Sequence, residues 1–465
     1  MLRFLGPGTR LCDGHSRREI LRVGGLGLLG AGLQLPDLAR ASGTSGDSSF
    51  GRAKSCIVLF LMGGPPQHST WDPKPDAPAE VRGEFGPIDT KVPGLSISSL
   101  LPMTAQVADK LCLLRAVSTA DNAHSSSGYY MLTGRPHQPQ NVENANPGAP
   151  NDMPSLGALA GRVSGPRGVL PTSITLPHRI FNTDGSVWPG QDAGMLGRGA
   201  DPWLLNAKLT PEGYKIQEID LPADLDPARV NRRMGLIDGF RRGIDALDLD
   251  SRGSVFDDQT RRAYSLLQSP ESRKAFRVED EPQAALDRYG ASPFGRSVLL
   301  ARRLVEAGVR LVQVNWYRGA DEPGENPCWD SHVREASRLK DVLVPPTDRA
   351  FSALIEDLDR RGTLDETLVV CMSEFGRTPR IEAGGGRGHW GSVFSIAMAG
   401  GGIKGGQVFG SSDKIGGQPR ENRVRPEDLS ATIFHCLGHT PDTEYLDRFG
   451  RPFPVSRGEV LHAIL

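Results

Sequence analysis

The chain has 465 residues, with 54 Lys and Arg against 55 Asp and Glu, and 38% of its residues are hydrophobic. A chain of this length buries a substantial core in one large or two ordinary domains. Its near-zero net charge provides no field that would gather nucleic acid or acidic membranes, so we expect neither as a partner.

The first 41 residues have the order of a twin-arginine export signal. Arg17 and Arg18 precede a Gly-rich apolar run at 23–35, and Ala39 and Ala41 offer a cleavage site. The alternative is a membrane anchor, but a span needs about 20 consecutive apolar residues, and this run is shorter. We therefore expect that the twin-arginine export machinery carries the protein to the periplasm or the extracellular space and that the signal is cleaved off. The mature protein should then have no stable membrane span. Because this route carries folded proteins, it is also a weak hint of a metal site.

Residues 42–465 are expected to form a single α/β domain, because short apolar runs alternate with amphipathic helical patterns. The predicted strands are 55–62, 111–117, 174–176, 309–316, 367–372 and 394–399, and the predicted helices are 153–163, 227–247, 293–307 and 347–361. This alternation indicates a mostly parallel sheet sandwiched by helices. Polar chemistry in such sheets gathers at the carboxyl ends of the strands.

Two features qualify this domain. Cys56 and Cys371 lie inside predicted strands, and no short C-x-x-C spacing occurs, so buried core thiols are favoured over disulfides or a zinc ribbon. Residues from 135 to about 221 are rich in Pro, Gly and Asn and form an irregular insertion over the sheet. A lid or substrate wall and an ordinary surface elaboration are equally good interpretations of it.

Polar side chains follow the late strands. Asp330 and His332 come after the strand that ends near Trp316, Glu374 follows the next strand, and His389 lies in the Gly-rich stretch beyond. Each alone is better explained as a structural residue. Together they form the ligand mix expected for a divalent ion such as zinc, manganese or calcium. Arg377 and Arg387 accompany them and could hold an anionic substrate.

The early strands contribute two further segments. His68, Asp72 and Lys74 follow the first strand, where His68 and Asp72 are additional candidate metal ligands and Lys74 a candidate substrate-binding residue. His124 and Ser125 stand at a predicted helix start after the second strand. They are candidate catalytic residues, with Ser125 as a possible nucleophile, although serines near a helix start usually cap it.

With these motifs assembled, the chain resembles the exported bacterial family known as the domain of unknown function numbered fifteen-oh-one. The resemblance spans nearly the whole mature chain. It is carried by Gly63-Gly64-Pro65, Asp72-Pro73-Lys74-Pro75, the segment from His124 to Thr133-Gly134, Trp329-Asp330-Ser331-His332, Ser373-Glu374-Phe375-Gly376-Arg377-Thr378-Pro379, Gly386-Arg387-Gly388-His389-Trp390, Asp428 to Ile433, and Gly450-Arg451-Pro452.

That family is similar in turn to the alkaline phosphatase and sulfatase superfamily, which implies an alkaline phosphatase-like core and metal-dependent cleavage of phosphate or sulfate esters. The chain departs from the superfamily pattern in several places. An aspartate ligand is usual directly after the first strand, where this chain has Met62-Gly63-Gly64, so that ligand is missing or supplied by His68 or Asp72. Phe375 replaces a histidine, and His124 takes the place of the sulfatase cysteine. Gly388 stands where the family itself usually has an aspartate. A formylglycine sulfatase is therefore not expected.

Two functions remain open from the sequence. The first is an exported metal-dependent hydrolase of an anionic phosphate or sulfate ester, with a diverged site and with Ser125 or water as nucleophile. The second is a non-catalytic secreted protein that has lost ligands and keeps the cleft for a glycan, a peptide or a partner protein.

Overall fold

The apolar runs of the sequence become the strands of one eight-stranded sheet in the computed structural model, which describes residues 49–210, 213–216, 232, 269–318 and 328–465. The strands within these ranges are β1 (Ser55–Phe60), β2 (Pro87–Asp89), β3 (Ser96–Ser98), β4 (Leu111–Val117), β5 (Ser173–Leu176), β6 (Trp203–Leu204), β7 (Ala207–Thr210), β8 (Gly213–Ile216), β9 (Leu311–Asn315), β10 (Thr367–Met372), β11 (Gly376–Arg377), β12 (His389–Trp390), β13 (Phe394–Ala399), β14 (Gln407–Phe409), β15 (Ser411–Ser412), β16 (Pro419–Glu421), β17 (Glu444–Leu446) and β18 (Pro452–Pro454).

The α-helices of the same described ranges are α1 (Ala79–Arg82), α2 (Pro102–Ala105), α3 (His124–Thr133), α4 (Leu156–Ser164), α5 (Pro270–Phe276), α6 (Gln283–Tyr289), α7 (Pro293–Glu306), α8 (Glu335–Arg338), α9 (Val344–Arg360) and α10 (Pro426–Cys436). No helix among the described residues is long and apolar enough to cross a membrane. The predicted signal at 1–41 and the predicted helix at 227–247 lie outside the described residues, apart from Arg232.

The main sheet has the strand order β14-β4-β13-β10-β1-β9-β5-β6. Every neighbouring pair is parallel except the two pairs made by β13, which runs antiparallel to both β10 and β4. The predicted mostly parallel sheet is therefore confirmed, and the reversed direction of β13 is an addition to it. As a result, the start of β13 lies at the same edge as the carboxyl ends of β4, β10, β1 and β9.

The central strands are buried on both faces, because every residue of β1 and β10 is buried. Helices cover them, and α7 packs against β1, β9 and α9. The sequence explains where α7 begins: Pro293 takes the first turn, and the Ser292 side chain accepts a hydrogen bond from Gly295 N. Cys56 and Cys371 lie in the central strands as predicted, and burial raises the pKa of the Cys371 thiol to about 12.

The described part of the insertion, residues 135–210 and 213–216, is more regular than its composition indicates. Within it, α4 packs against β5 and β9, and both β5 and β6 join the main sheet. The loops between these elements are irregular, as expected from their Pro, Gly and Asn content. The part from Phe181 to Trp188 reaches the carboxyl edge of the sheet, where it meets the site described next.

Candidate metal centre

Four segments bring polar side chains to the carboxyl edge of the sheet. His124 opens α3 after β4, Asp330 lies beyond β9, and Glu374 follows β10 by two residues. His389 is in β12, shortly before β13 begins. Because β13 is antiparallel, the chain that enters it comes to this edge too. The topology therefore assembles residues that are more than 250 positions apart in sequence.

Asp330 is the centre of this cluster. Its Oδ2 lies 3.2 Å from His124 Nε2, and its Oδ1 lies 3.1 Å from His389 Nε2 and 2.9 Å from His332 Nε2. One ligand atom each from His124, Asp330 and His389 can be chosen so that all three lie within 4.8 Å of one another. Three side chains that each offer one metal-ligand atom thus surround a common point.

In His124 and His389, the ring nitrogen that faces away from Asp330 is fixed by a hydrogen bond. His124 Nδ1 lies 2.7 Å from Glu374 Oε1, and His389 Nδ1 lies 2.8 Å from the carbonyl oxygen of Asn122. A carbonyl or carboxylate oxygen can only accept here, so each Nδ1 carries the hydrogen. In the neutral rings, the lone pair is then on Nε2 and points into the cluster. This is the arrangement by which proteins orient metal-ligating histidines.

Glu374 is itself fixed from two sides. Its Oε1 accepts a hydrogen bond from Gly63 N at 2.8 Å, and its Oε2 accepts one from Ser373 Oγ at 2.6 Å. The Glu374 side chain is completely buried. Glu374, predicted as a metal ligand, therefore lies behind His124 and supports it.

Gly63 lies three residues beyond the end of β1, and its backbone conformation requires glycine. Its φ is +113°, and a Cβ there would lie 2.4 Å from Asp330 N. Only glycine allows the chain to approach Asp330 this closely. The Gly63 backbone N–H also donates a hydrogen bond to Glu374.

Phe375 packs against both histidines of the cluster. Its ring stacks on His389 with centroids 4.7 Å apart and lies 4.8 Å from the ring of His124. An aromatic ring offers no lone pair to a cation of this kind. Phe375 therefore borders the cluster without offering it a ligand atom.

Burial and the charges of the cluster shift the pKa values of its side chains. Burial opposes protonation of His124, but Asp330 and Glu374 outweigh it and raise the pKa of His124 to about 10. Burial likewise opposes ionisation of Asp330, but Arg377 and His124 hold its pKa well below the usual range. The pKa of His389 is lowered, chiefly by burial and then by the positive charges of His124 and Arg377. Without a metal, His124 is thus an imidazolium between two carboxylates.

An open cleft of about 380 Å³ leads to this cluster. Its floor contains His124, Asp330 and His389. Its walls come from several loops, two of them in the insertion, and consist of Met62, Gly63, Glu143, Asn144, Phe181, Asn182, Thr183, Asp184, Trp188, Arg318 and Cys328. Parts of the insertion therefore form a wall of the cleft.

The two arginines predicted to bind substrate are instead sealed inside the protein. Arg377 is completely buried and donates to Gly64 O, Arg387 O and Asp330 Oδ1 at 2.9, 3.0 and 2.5 Å. Arg387 is also completely buried and donates to Glu335 Oε1 and Val81 O at 3.0 and 2.8 Å. Neither guanidinium lines the cleft. The substrate-binding prediction for both is corrected to a structural role.

The early candidates form a separate buried network. Asp72 pairs with Lys74 at 2.9 Å and accepts a hydrogen bond from Ser412 Oγ at 2.5 Å. His68 Nε2 lies 2.8 Å from Ile415 O. None of His68, Asp72 and Lys74 belongs to the cluster or lines the cleft. Their predicted metal-binding and substrate-binding roles are corrected accordingly.

Ser125, the predicted nucleophile, is buried beneath the cleft wall. Its Oγ donates to Val142 O at 3.1 Å and accepts from Ala145 N at 3.0 Å. The hydroxyl therefore holds the loop at 142–145 in place and does not line the cleft. His332 lies on the solvent side of the cluster, with its side chain 39% exposed.

Sequence reasoning missed several parts of the site. The carbonyl of Asn122 and the N–H of Gly63 support the two histidines, and Glu143 Oε1 accepts from His124 N at 2.7 Å. The two backbone partners, Asn122 O and Gly63 N, leave no trace in residue identity. Arg318, in contrast, follows the predicted strand at 309–316 by two residues, and the rule that sites gather at strand ends could have found it.

One known family matches almost all of the described chain. The profile of the family described as "Protein of unknown function (DUF1501)" matches residues 53–465. The chain belongs to this family. The family membership that the motifs predicted is thereby confirmed. No curated protein matches the sequence significantly.

Several solved structures are similar to this DUF1501 protein at low identity. A sulfatase from Pseudoalteromonas sp. is 14% identical, with 82% of this chain and 70% of that chain covered and a TM-score of 0.35. A phosphonate monoester hydrolase from Silicibacter pomeroyi is 14% identical, with 88% and 76% covered and a TM-score of 0.38. The TAB5 alkaline phosphatase with Mg bound is 12% identical, with 77% and 94% covered and a TM-score of 0.33.

Proposed function

We propose that this DUF1501 protein is a metal-dependent hydrolase of an anionic ester, with one divalent ion held by His124, Asp330 and His389. The observation that carries the proposal is the orientation of the two histidines. Each has its Nδ1–H tied to an oxygen acceptor, so each directs Nε2 toward Asp330. A neutral His389 then places its Nε2 lone pair 3.1 Å from Asp330 Oδ1 and 3.0 Å from His332 Nε2. A cation between His389 and Asp330 makes the contact of the lone pair with the carboxylate favourable.

The donor set fits such an ion. Two imidazole nitrogens and a carboxylate are typical ligands of zinc, manganese or iron, whereas calcium takes oxygen ligands almost alone. Zinc or manganese is therefore the better choice. Ligand nitrogens must be unprotonated, so binding must release the Nε2 proton that Asp330 and Glu374 stabilise on His124.

The remaining residues prepare the site. Arg377 fixes Asp330 Oδ1, and Glu374 fixes the ring plane of His124. Phe375 shields one side of the histidines with an apolar ring. A divalent ion bound here supplies Lewis-acid activation of water and neutralises charge that develops on the ester oxygens. Because Ser125 is occupied with the loop at 142–145, water from the cleft is the nucleophile in this proposal.

A binding protein without catalysis is the second function, and one observation favours it. Arg377 and the His124 imidazolium already balance the carboxylates of Asp330 and Glu374, so the cluster is close to electrically neutral without an ion. In that case, it would serve as a rigid ion-pair network at the base of a binding cleft.

Metal content separates the two functions. The chain is expressed in its folded form, and the metal per chain is measured for the wild type, Asp330→Asn and His389→Gln, with the exposed Asp76→Asn as a matched control. We expect about one equivalent of zinc or manganese in the wild type and in Asp76→Asn, and little in the other two. Esters of phosphate and sulfate are then screened with each preparation. A folded wild type that takes up no metal, even after incubation with zinc or manganese, would leave the binding protein as the conclusion.

A further inference from the structure

We propose that Arg318 is the anion-binding residue of the cleft and recognises an oxyanion group of the ligand: a carboxylate, a sulfate or a phosphate. The inference deepens the proposed hydrolase function by naming the group that holds a charged substrate. Arg318 takes the role that the sequence predicted for Arg377 and Arg387, whose N–H groups donate to acceptors inside the protein.

The backbone of Arg318 is fixed just beyond the carboxyl end of β9. Arg318 N donates to His178 Nε2 at 2.9 Å, while His178 Nδ1 donates to Arg179 O at 2.9 Å. Asn315 Nδ2 donates to His178 O at 2.7 Å. The loops that follow β5 and β9 are thereby joined, and Arg318 leaves the sheet from a rigid position.

The guanidinium of Arg318 is oriented but not saturated. Its Nη1 donates to Phe181 O at 2.8 Å, and its Cζ lies 4.9 Å from the centroid of the Phe181 ring. Stacking of this kind fixes the plane of the group. The described residues provide no acceptor for its other side-chain N–H groups and no carboxylate within ion-pair distance. Within the described residues, donors of the Arg318 guanidinium therefore remain for a ligand.

The charges around the cleft leave Arg318 available. Asp184 accepts hydrogen bonds from Ser186 Oγ and Ser186 N at 2.6 and 2.9 Å. Glu143 accepts one from His124 N. Arg318 is the lone Lys or Arg side chain among the residues described as lining the cleft, and it shares the cleft with His124, Asp330 and His389. The planar fork of an arginine matches the paired oxygens of a carboxylate, sulfate or phosphate.

The test is a calorimetric titration of the full chain with inorganic phosphate, sulfate and acetate, each in the zinc-treated and the chelator-treated protein. We expect Arg318→Gln to bind at least one of these anions about 10- to 100-fold more weakly, since a charge-assisted hydrogen bond is lost. Arg318→Lys, which keeps the charge without the fork, should be intermediate. The exposed Arg380→Gln is the matched control and should equal the wild type.

The same titrations separate this inference from the metal proposal. Arg318→Gln is also made in the Asp330→Asn background. If it lowers the anion affinity there as well, the role of Arg318 is supported whether or not the cluster binds zinc. Unchanged zinc content in Arg318→Gln shows that the metal centre is intact in the variant. Affinities of Arg318→Gln equal to the wild type for all three anions, or no binding of any of them by the wild type, overturn the role of Arg318.

Discussion

Arg377 and Asp330 form an ion pair at the base of the cleft, with Nη2 of Arg377 2.5 Å from Oδ1 of Asp330. The same guanidinium donates to Gly64 O and Trp329 O, and so ties the segment after β1 to the segment that carries Asp330. An arginine in this position does not meet substrate. It sets the place of the carboxylate on which the histidines converge.

The first prediction follows from the complete burial of Arg377. Arg377→Met removes the charge opposite Asp330 and leaves several backbone carbonyls without donors, so it should lower the free energy of unfolding by about 3–5 kcal/mol. Denaturant unfolding of Arg377→Met and Arg380→Met measures the difference. Arg380 is 75% exposed in its side chain, and its variant should lie within about 0.5 kcal/mol of the wild type. Equal stability of the two variants would contradict the structural role of Arg377.

The second prediction concerns the carboxylate behind His124. Glu374→Gln keeps the size of the side chain but removes the charge that faces His124 Nδ1 at 2.7 Å. Loss of such a supporting carboxylate typically weakens metal binding by about 10- to 100-fold, and we expect this in competition with a chromogenic chelator. Glu366→Gln, at an exposed surface ion pair, is the control. An unchanged zinc affinity in Glu374→Gln would show that the glutamate only fills space.

The sequence predicts the main strands and most of this cluster because both depend on local patterns. Continuous apolar runs gave β4, β10 and β13, and the rule that polar groups follow parallel strands placed Asp330, Glu374 and His389 at one edge. Burial of Arg377 and Arg387 could not be predicted, because carbonyls from distant segments satisfy their donors. His68 and Asp72 were misplaced for the same reason: their partners Ile415 and Ser412 lie more than 330 positions away.

The third prediction tests the nucleophile. Ser125→Ala removes a buried hydroxyl that bridges Val142 O and Ala145 N. The change should lower the free energy of unfolding by about 1–3 kcal/mol, while the turnover of any ester that the wild type cleaves stays within a few-fold. Steady-state kinetics and thermal unfolding of the same preparation measure both. A loss of activity by several orders of magnitude in a folded Ser125→Ala protein would restore Ser125 as the nucleophile.

The fourth prediction is a dependence of stability on pH that arises away from the cluster. Burial, assisted by the positive charges of Arg387 and Lys74, lowers the pKa of His68 from 6.5 to about 3. The unfolded chain therefore takes up a proton at His68 as the pH falls below 6.5, whereas the folded protein does not. Stability is unaffected by this group above pH 6.5 and decreases between pH 6.5 and pH 3.

The size of this effect follows from the linkage between protonation and folding. At pH 5 the unfolded state gains about 2 kcal/mol relative to pH 7.5 from His68 alone. His68→Gln cannot titrate, so the free energy of unfolding of the variant should fall less than that of the wild type over this range, by about the same amount. Urea unfolding of both proteins at pH 7.5 and pH 5 gives the comparison, and parallel losses in the two proteins would rule out a neutral, buried His68 as a source of acid sensitivity.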